Sequence, residues 1–274
     1  MKILSRTYLL IVFALLYAPI LILVIFSFNE GGSLSAYTGF SFRWYSELFH
    51  DQVALQSLKN SFVLALGSSV LATVIGTFAA LGLDRMRSRY LRAAIGSVTN
   101  IPMMNPDIVT GVSMMLLFVA LGGLHGAGDV LGKWTMLIAH TTFSLPYVIL
   151  SVLPRFKQFD KTLREAALDL GCTPAQSFFK VELPAIVPGI FSGLVMAFTL
   201  SLDDFVISHF VSSPNFQTLP LYVYNQTVHN VKFSMYALCA LIVAIILVIL
   251  LAVNFAGSIS DRRSKSARKG GATK

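Results

Sequence analysis

Three acidic residues stand inside apolar stretches of the sequence. Asp203 and Asp204 lie near the end of an apolar run that begins at Ala185, and Asp107 lies in an earlier run. On insertion scales, a carboxylate at the centre of a bilayer costs about 3 kcal/mol, so such residues usually face a bundle interior or a wet cavity. Carboxylates in a cavity bind cations. We therefore expect the three acids to line one external-facing cavity on a cation pathway.

A structural role for these acids is the alternative interpretation. The sequence Asn105-Pro106-Asp107 predicts a break in its helix, because proline removes a backbone donor and bends the chain. An acid beside a break serves as a helix cap. A break also exposes polar backbone to a cavity, so the two interpretations are compatible. Phe205 and Tyr222 would add cation–π contacts for an organic ammonium ion, although aromatic side chains are also ordinary membrane filling.

The composition is that of an integral membrane protein. Of the 274 residues, 55% are hydrophobic and 12% are charged, against roughly 25% charged in an average soluble domain. We expect one transmembrane domain over residues 1–274, with a core at about 61–256 and a basic cytoplasmic tail at 257–274. The two cysteines are far apart and form no C-x-x-C pair, so neither a disulfide nor a metal site is expected.

Six apolar stretches are long enough to cross a bilayer, which takes about 20 residues. They run approximately from Tyr8 to Phe28, Ser61 to Leu83, Ala93 to Leu121, Trp134 to Leu153, Ala185 to Val211 and Phe233 to Phe255. The third and fifth are long enough to be tilted, bent or broken. The predicted fold class is therefore an all-α membrane protein with six transmembrane helices.

The basic residues are distributed unequally between the two sides of this topology. The side that holds both termini carries 17 of the 21 lysines and arginines. The other side holds only Arg43, Lys59, Lys133 and Lys232. Because cytoplasmic loops carry the excess of lysine and arginine, both termini and the loop before the fifth span are predicted to be cytoplasmic. The net charge of +8 then records topology rather than a nucleic-acid partner.

The loop from Arg155 to Pro184, called the coupling loop below, has the most specific local pattern. Residues 161–170 are strong helix formers, and Gly171 supplies the stop that follows a helix end. A second helix begins in the sequence Thr-Pro-Ala-Gln at 173–176. Threonine caps this helix, proline suits its first position and glutamine completes a capping box. Pro184 is expected to break the second helix before the fifth span begins.

A helix, a glycine-containing turn and a second helix also outline a DNA-binding motif. The second helix, PAQSFFKV, has one lysine and two phenylalanines, whereas a recognition helix needs polar side chains aimed at base edges. Nucleic acid is therefore excluded as a partner. Exposed Phe178, Phe179 and Val181 favour instead an apolar plug for a groove on another protein. The small side chains of Ala166 and Ala167 would let that partner approach the backbone.

The spacing of residues in this loop resembles the EAA motif of ABC importer permeases. The sequence Glu165-Ala166-Ala167, Gly171, Val181, Leu183 and Pro184 matches the motif, with valine where isoleucine is usual. The resemblance implies the type I ABC importer permease fold, similar to that of the methionine importer, and a coupling helix that inserts into a cleft of an ATPase subunit. The residues assigned to ATPase coupling are Glu165, Ala166, Ala167, Gly171, Phe178, Val181, Leu183 and Pro184.

The sequence contains no phosphate-binding loop. The nearest approach to G-x-x-x-x-G-K-[ST] is AGDVLGKW, with Ala127 in place of the first glycine and Trp134 in place of the hydroxyl residue. We therefore expect a non-catalytic transport subunit that needs no cofactor. ATP hydrolysis is assigned to separate subunits.

Six further blocks extend the similarity over most of the chain: YAPILILVIFSFN, FRWYSELF, MMNPDIVTG, EAALDLG, AFTLSLDDFVISHF and TLPLYVY. They resemble the second permease subunit of spermidine/putrescine importers. The resemblance implies a bacterial inner-membrane protein that assembles with a second permease subunit, two ATP-binding subunits and an extracytoplasmic polyamine-binding protein. The predicted substrate pathway comprises Asp107, Asp203, Asp204, Phe205 and Tyr222. The rival hypotheses are an ABC permease for an oxyanion, ferric ion or another small solute, and an ATP-independent cation channel or carrier.

Overall fold

The computed structural model describes residues 2–31, 36–124, 130–229, 232–245 and 247–248. Within these residues the regular structure is helical, apart from two isolated β-bridges. The helices are α1 (Lys2–Phe26), α2 (Arg43–His50), α3 (Gln52–Arg85), α4 (Arg89–Met104), α5 (Asp107–Leu124), α6 (Lys133–Gln158), α7 (Lys161–Asp169), α8 (Pro174–Ser177), α9 (Leu183–Asp203), α10 (Val206–Val211), α11 (Leu219–His229) and α12 (Ser234–Ile245). A π-helical turn, Phe178–Glu182, joins α8 to α9.

Several of these helices are long and apolar enough to cross a membrane. Four qualify by themselves, namely Arg6–Phe26, Gln52–Arg85, Lys133–Gln158 and Pro174–Asp203, and the bent pair α4 and α5 counts as a fifth if it is one span. The predicted all-α, multi-pass architecture is confirmed. The number six stays a prediction, because α12 covers only the first part of the sixth predicted span. The end of that span and the tail at 257–274 lie outside the described residues.

The chain divides into two compact units. The first comprises Met1–Leu55 and Gln226–Lys274, and the second comprises Gln56–Asn225. In the first unit, the Nε1 of Trp44 donates a hydrogen bond of 2.6 Å to the Asn29 carbonyl oxygen, which holds α2 against the segment after α1. The assignment of one transmembrane domain to residues 1–274 stays a prediction.

The core of the second unit is formed by α3, α6 and α9. The fully buried residues at this contact are small or β-branched: Ala72, Ala80, Val148, Val152, Ile186 and Ala197. Small side chains let helix backbones approach closely, and this packing drives association in lipid, where no hydrophobic force acts between helices. The outward faces carry exposed apolar side chains such as Phe62, Phe78 and Phe191. The second unit thus exposes apolar side chains on its outer surface, as helices in a bilayer must.

Two of the apolar segments are interrupted. Helices α4 and α5 meet at an angle of 104°. The break falls at Asn105, whose backbone is extended (φ −76°, ψ 143°) because the residue before a proline disfavours the α region. The predicted break at 105–107 is therefore confirmed. The fifth apolar segment is also broken, since α9 ends at Asp203 and α10 begins at Val206.

Candidate functional site

The first helix of the coupling loop is capped by a residue that the sequence analysis did not single out. The Asp160 Oδ1 accepts hydrogen bonds from the Thr162 hydroxyl at 2.8 Å and from the Thr162 amide at 3.0 Å. Both bonds lower the pKa of the exposed Asp160 carboxyl, and the bond from the Thr162 hydroxyl has the larger effect. The N-terminus of α7 is therefore satisfied by a carboxylate that stays ionised at lower pH than an ordinary aspartate.

The turn between the two short helices has the geometry that only glycine adopts readily. Gly171 has φ +88° and is the residue with positive φ among those described. Its N–H bonds to the Leu168 carbonyl at 2.9 Å, and the Cys172 N–H bonds to the Ala167 carbonyl at 3.0 Å. This pair of bonds is the Schellman pattern, in which a left-handed residue closes a helix. The predicted stop at Gly171 is confirmed.

The second short helix begins as predicted. The Gln176 amide donates to the Thr173 Oγ1 at 3.3 Å, and the Thr173 amide donates to the Gln176 Oε1 at 3.0 Å. These reciprocal bonds form a capping box, with Pro174 in the first helical position. The local rules that govern helix ends are sufficient to explain this half of the loop.

The predicted break at Pro184 is wrong. Helix α8 continues through the π-helical turn into α9, and Pro184 lies directly after that turn, at the second residue of α9. A helical stretch of 30 residues therefore runs without a break from Pro174 to Asp203. At about 1.5 Å per residue, it joins the coupling loop to the neighbourhood of the membrane acids over roughly 45 Å.

The π-helical turn also changes which phenylalanine is exposed. Phe178 was expected on the free face of the loop, but it is only 6% exposed and belongs to the core cluster of α3, α6 and α9. Its ring lies 6.5 Å from that of Phe78, and the Arg85 guanidinium lies 5.9 Å above it. Phe179 is 58% exposed. Phe178 thus anchors the loop to its own subunit, and Phe179 is the ring that is free to contact a partner.

A buried carboxylate with two partly exposed arginine partners fixes the same turn. The Glu182 carboxylate accepts two hydrogen bonds from the Arg85 Nη2, at 2.8 Å and 3.0 Å, and its Oε1 lies 3.6 Å from the Arg164 Nε. These contacts tie α7 and the π-helical turn to the end of α3. The other residues assigned to coupling have different exposures. Glu165, Ala166, Gly171 and Pro184 are exposed, Val181 and Leu183 are half-buried, and Ala167 is buried.

At the other end of α9, Asp204 caps the short helix α10. Its Oδ2 accepts a hydrogen bond from the Ser208 amide at 2.9 Å, and its Oδ1 accepts one from the Ile207 amide at 3.3 Å. The side chain is 7% exposed. The capping interpretation left open by the sequence is therefore correct for this residue. Capping does not prevent the same carboxyl group from acting on a passing cation, so the pathway interpretation stays open beside it.

A buried histidine stands beside this carboxylate. The Nε2 of His140, on α6, lies 3.6 Å from the Asp204 Oδ2 and 3.2 Å from the Ser208 Oγ. Its Nδ1 lies 2.8 Å from the Ser201 Oγ, which in turn accepts a hydrogen bond of 2.9 Å from Ser68. The network joins α3, α6, α9 and α10. His140 was not among the predicted site residues, which were acids and aromatics. A histidine in the apolar run LIAHTTF is nevertheless as unusual in a membrane span as an acid, and it could have been found in the same way.

We expect His140→Leu to lower the free energy of unfolding by about 1–3 kcal/mol, because it leaves buried hydroxyls and a buried carboxylate without their partner. Thermal unfolding of the purified protein in detergent measures this change. His50→Leu is the matched control, since His50 is exposed and bonds only to a carbonyl one turn away within α2. Equal midpoints for the two variants would contradict the structural role of His140.

The remaining two acids lie near Asp204 because α5 packs closely against α10. A Cβ atom on Gly111 would lie 3.0 Å from the Phe210 Cδ2 and 3.4 Å from the Val206 carbonyl oxygen, so this contact requires glycine. Asp107 and Asp203 are exposed. Asp203 directly precedes Asp204 at the end of α9, and Asp107 is the first residue of α5, which packs against α10. We call these three residues the acid site.

Aromatic rings lie next to the acid site, but of the two predicted rings, Phe205 and Tyr222, only Phe205 is accessible there. Phe205 lies 4.6 Å from Tyr224 and 5.4 Å from His209, measured between ring centroids. Tyr224 is 44% exposed, whereas Tyr222 is 2% exposed. The accessible ring that accompanies Phe205 is therefore Tyr224, and the Tyr222 side chain is buried within the protein. In the described part of the chain, no group of three or more His, Cys, Asp or Glu residues is placed to hold a metal ion.

Three features are typical of one class of protein, the membrane-embedded permeases of transport systems. They are long apolar helices, two interrupted segments around buried polar groups, and a structured basic loop. The chain belongs to the family of binding-protein-dependent transport system inner membrane components, whose model matches residues 72–266. It is 40% identical over 234 residues to the putrescine transport system permease protein PotI of Escherichia coli, covering 85% of this chain and 83% of PotI.

Two further comparisons agree with this membership. The chain is 37% identical over 242 residues to the spermidine/putrescine transport system permease protein PotC of Haemophilus influenzae, covering 88% of this chain and 91% of PotC. It also shares its fold with a chain in the crystal structure of a bacterial ABC transporter that imports the acidic polysaccharide alginate. That match has a TM-score of 0.72, 17% identity and coverage of 92% and 93% of the two chains. The predicted ABC importer permease fold is confirmed.

Proposed function

We propose that this chain is the membrane-spanning permease subunit of an ATP-driven polyamine importer in the bacterial inner membrane. The observation that carries the proposal is the similarity to PotI and PotC, which extends over more than four-fifths of each relative. Both relatives are named as permeases for putrescine or for spermidine and putrescine. Fold similarity cannot carry the choice of cargo, because the alginate importer shares the fold and moves a polyanion.

The acid site supports a cationic cargo on physical grounds. Polyamines are flexible chains with two to four ammonium groups, and a desolvated ammonium group needs carboxylates or π faces along its route. Exposed Asp107 and Asp203 are placed to contact such groups, and buried Asp204 adds a charge that its hydrogen bonds hold in place. Phe205 and Tyr224 add ring faces. A transit site must also release its cargo, so we expect weak binding here and assign high affinity to an external binding protein.

The coupling loop supports ATP-driven transport. We assign Glu165, Ala166, Gly171 and the exposed Phe179 to the surface that docks in an ATPase subunit. Phe178, Val181, Leu183 and Pro184 join that surface to α9. When the ATPase subunits close, the loop moves, and the unbroken helix from Pro174 to Asp203 carries this movement to the acid site. The full assembly would contain a second permease subunit, two ATP-binding subunits and an extracytoplasmic polyamine-binding protein.

The rival cargoes predict a different site. A sulfate or phosphate permease would favour arginine or helix N-termini in the pathway, whereas this chain places three carboxylates around α10. An ATP-independent channel would have no need for the capped, ion-paired coupling loop. A ferric-ion permease would also favour carboxylates, but in the described part of the chain no three His, Cys, Asp or Glu side chains are placed to hold a metal ion together.

Growth tests the proposal directly. A polyamine-auxotrophic bacterium that lacks its own importers would receive this chain together with its neighbouring transport genes. We expect growth on low concentrations of putrescine or spermidine. Expression of the full assembly in the membrane without growth on either polyamine would overturn the choice of cargo.

A further inference from the structure

A second polar site lies on the side that the lysine and arginine distribution predicts to be cytoplasmic. A cavity of about 450 Å³ opens there in the second unit. Its walls come from the end of α3, the start of α4, the end of α6 and the start of α7. The residues that line it include Arg85, Arg87, Arg92, Lys161, Arg164 and Glu182. We call it the basic cavity, and neither the acid site nor the exposed face of the coupling loop uses it.

The charges around the basic cavity do not balance. Five basic and two acidic residues line it, an excess of three positive charges. Glu182 is already engaged, because it pairs with Arg85 and Arg164. In the described part of the chain, no ion pair engages Arg87, Arg92 or Lys161. Three cations around one concave space, with a single remaining acid, Asp84, would attract an anion.

Arg92 provides an independent observation, a buried donor at the cavity. Its Nη2 donates hydrogen bonds to the carbonyl oxygens of Asp84, at 3.2 Å, and Met86, which fixes the guanidinium at the end of α3. Its Nε is buried and has no hydrogen-bond partner among the described residues. A buried donor without a partner is unfavourable. An acceptor oxygen in the cavity would remove this cost.

The place of the cavity favours a lipid over a soluble anion. It lies where the apolar stretches of α3 and α6 end, at Arg85 and Gln158. On the topology predicted from lysine and arginine, these helix ends face the cytoplasmic leaflet. Three of its lining residues, Met86, Phe156 and Phe159, are apolar, and they suit the glycerol and upper acyl part of a lipid. Basic pockets between membrane helices on the cytoplasmic side bind anionic head groups.

We propose that the basic cavity binds the phosphate of an anionic phospholipid from the cytoplasmic leaflet. Arg87, Arg92 and Lys161 hold the phosphate, and the apolar wall receives the start of the acyl chains. The bound lipid then bridges the ends of α3 and α6 to α7, next to the ion pair that fixes the coupling loop. The site is separate from the route of the cargo, so the proposal stands or falls independently of the polyamine assignment.

Lipid retention after purification tests this proposal. The full-length chain, with the subunits that copurify with it, is reconstituted in nanodiscs of phosphatidylcholine and phosphatidylglycerol, extracted, and analysed by native mass spectrometry. The test variant is Arg87→Gln with Lys161→Gln. The matched control is Arg89→Gln with Lys157→Gln, which removes two charges from the same side outside the cavity lining. We expect phosphatidylglycerol to bind the test variant about tenfold more weakly than wild type and the control as well as wild type.

Several results would overturn the proposal. Equal loss in the test and control variants would mean that only general surface charge attracts the lipid. Retention of phosphatidylcholine and phosphatidylglycerol in equal amounts would exclude a phosphate site for anionic lipids. Inorganic phosphate that binds wild type and not the test variant, without lipid retention, would identify a soluble anion as the ligand. Loss of the ATP-binding subunit from the test variant would assign the cavity to an acidic segment of that partner. Size-exclusion profiles establish that each variant assembles.

Discussion

Gly171→Val is expected to abolish ATP-driven uptake while the protein still inserts into the membrane. Gly171 adopts φ +88°, and a left-handed conformation costs an ordinary L-residue about 1–2 kcal/mol, with a larger cost for a β-branched side chain. The strain falls on the turn that closes α7 and sets the start of the second short helix. The helix that continues to Asp203 would then lose its defined connection to the ATPase. Uptake into proteoliposomes, beside an immunoblot for membrane insertion, measures the effect.

A matched glycine separates the backbone effect from an effect of size. A Cβ atom added to Gly171 meets nothing within 4 Å, and the same is true of Gly82, whose φ lies outside the left-handed region. We expect Gly82→Val to retain most of its uptake. At position 171, asparagine tolerates the left-handed region better than other residues, so uptake should fall in the order Gly, Asn, Ala, Val. Normal uptake by Gly171→Val would remove the assignment of this turn to coupling.

Asp204→Asn is expected to lower polyamine uptake about tenfold or more. The amide oxygen of asparagine still accepts a hydrogen bond at the start of α10, but the charge that faces a passing ammonium group is gone. Removing a negative charge beside the route weakens the attraction for an ammonium group, and a loss of about 1.4 kcal/mol corresponds to a factor of ten. Asp204→Ala removes the cap as well and should also lower stability. Uptake of labelled spermidine and thermal unfolding distinguish the two losses.

A second capping aspartate provides the control for this prediction. The Asp51 Oδ1 accepts hydrogen bonds from the amides of Val53 and Ala54 at the start of α3, so Asp51→Asn makes the same chemical change at a helix start elsewhere. Its uptake should stay close to that of wild type, and association with the ATP-binding subunit should persist in both variants. If uptake is unchanged when Asp107, Asp203 and Asp204 are replaced singly and together, the cation pathway must be abandoned.

The parts of the structure that follow from local rules were predictable from the sequence. The capping box at Thr173, the stop at Gly171 and the break before Pro106 each depend on hydrogen bonds or steric contacts within about five residues. The chemistry of these few residues therefore determines their geometry.

The parts that depend on tertiary packing were not predictable in the same way. The burial of Phe178 depends on a π-helical turn and on contacts with α3, which is distant in the sequence. The buried position of His140 depends on serines from three other helices. Pro184 shows the same limit, because proline often ends a helix, whereas here it follows a π-helical turn within a continuous helical stretch. Only the surrounding fold decides between these outcomes.

The unbroken helix from Pro174 to Asp203 connects the coupling loop to the acid site. A break at Pro184 would have separated the coupling loop from the acid site by a hinge. Instead, one continuous helix has the proposed ATPase contact at its start and the proposed cargo contact at its end. At that end Asp204 is held by α10 and His140, so a movement of α9 would change the surroundings of the acid site directly.

Uptake by the reconstituted assembly tests the central claim most directly. Proteoliposomes that contain this chain with its partner permease, ATP-binding subunits and external binding protein would be given radiolabelled putrescine, spermidine, sulfate and ferric ion, with and without internal ATP. The account predicts ATP-dependent accumulation of one or both polyamines and background levels of sulfate and ferric ion. ATP-dependent accumulation of sulfate or ferric ion without polyamine uptake, or polyamine entry at the same rate without ATP, would contradict it.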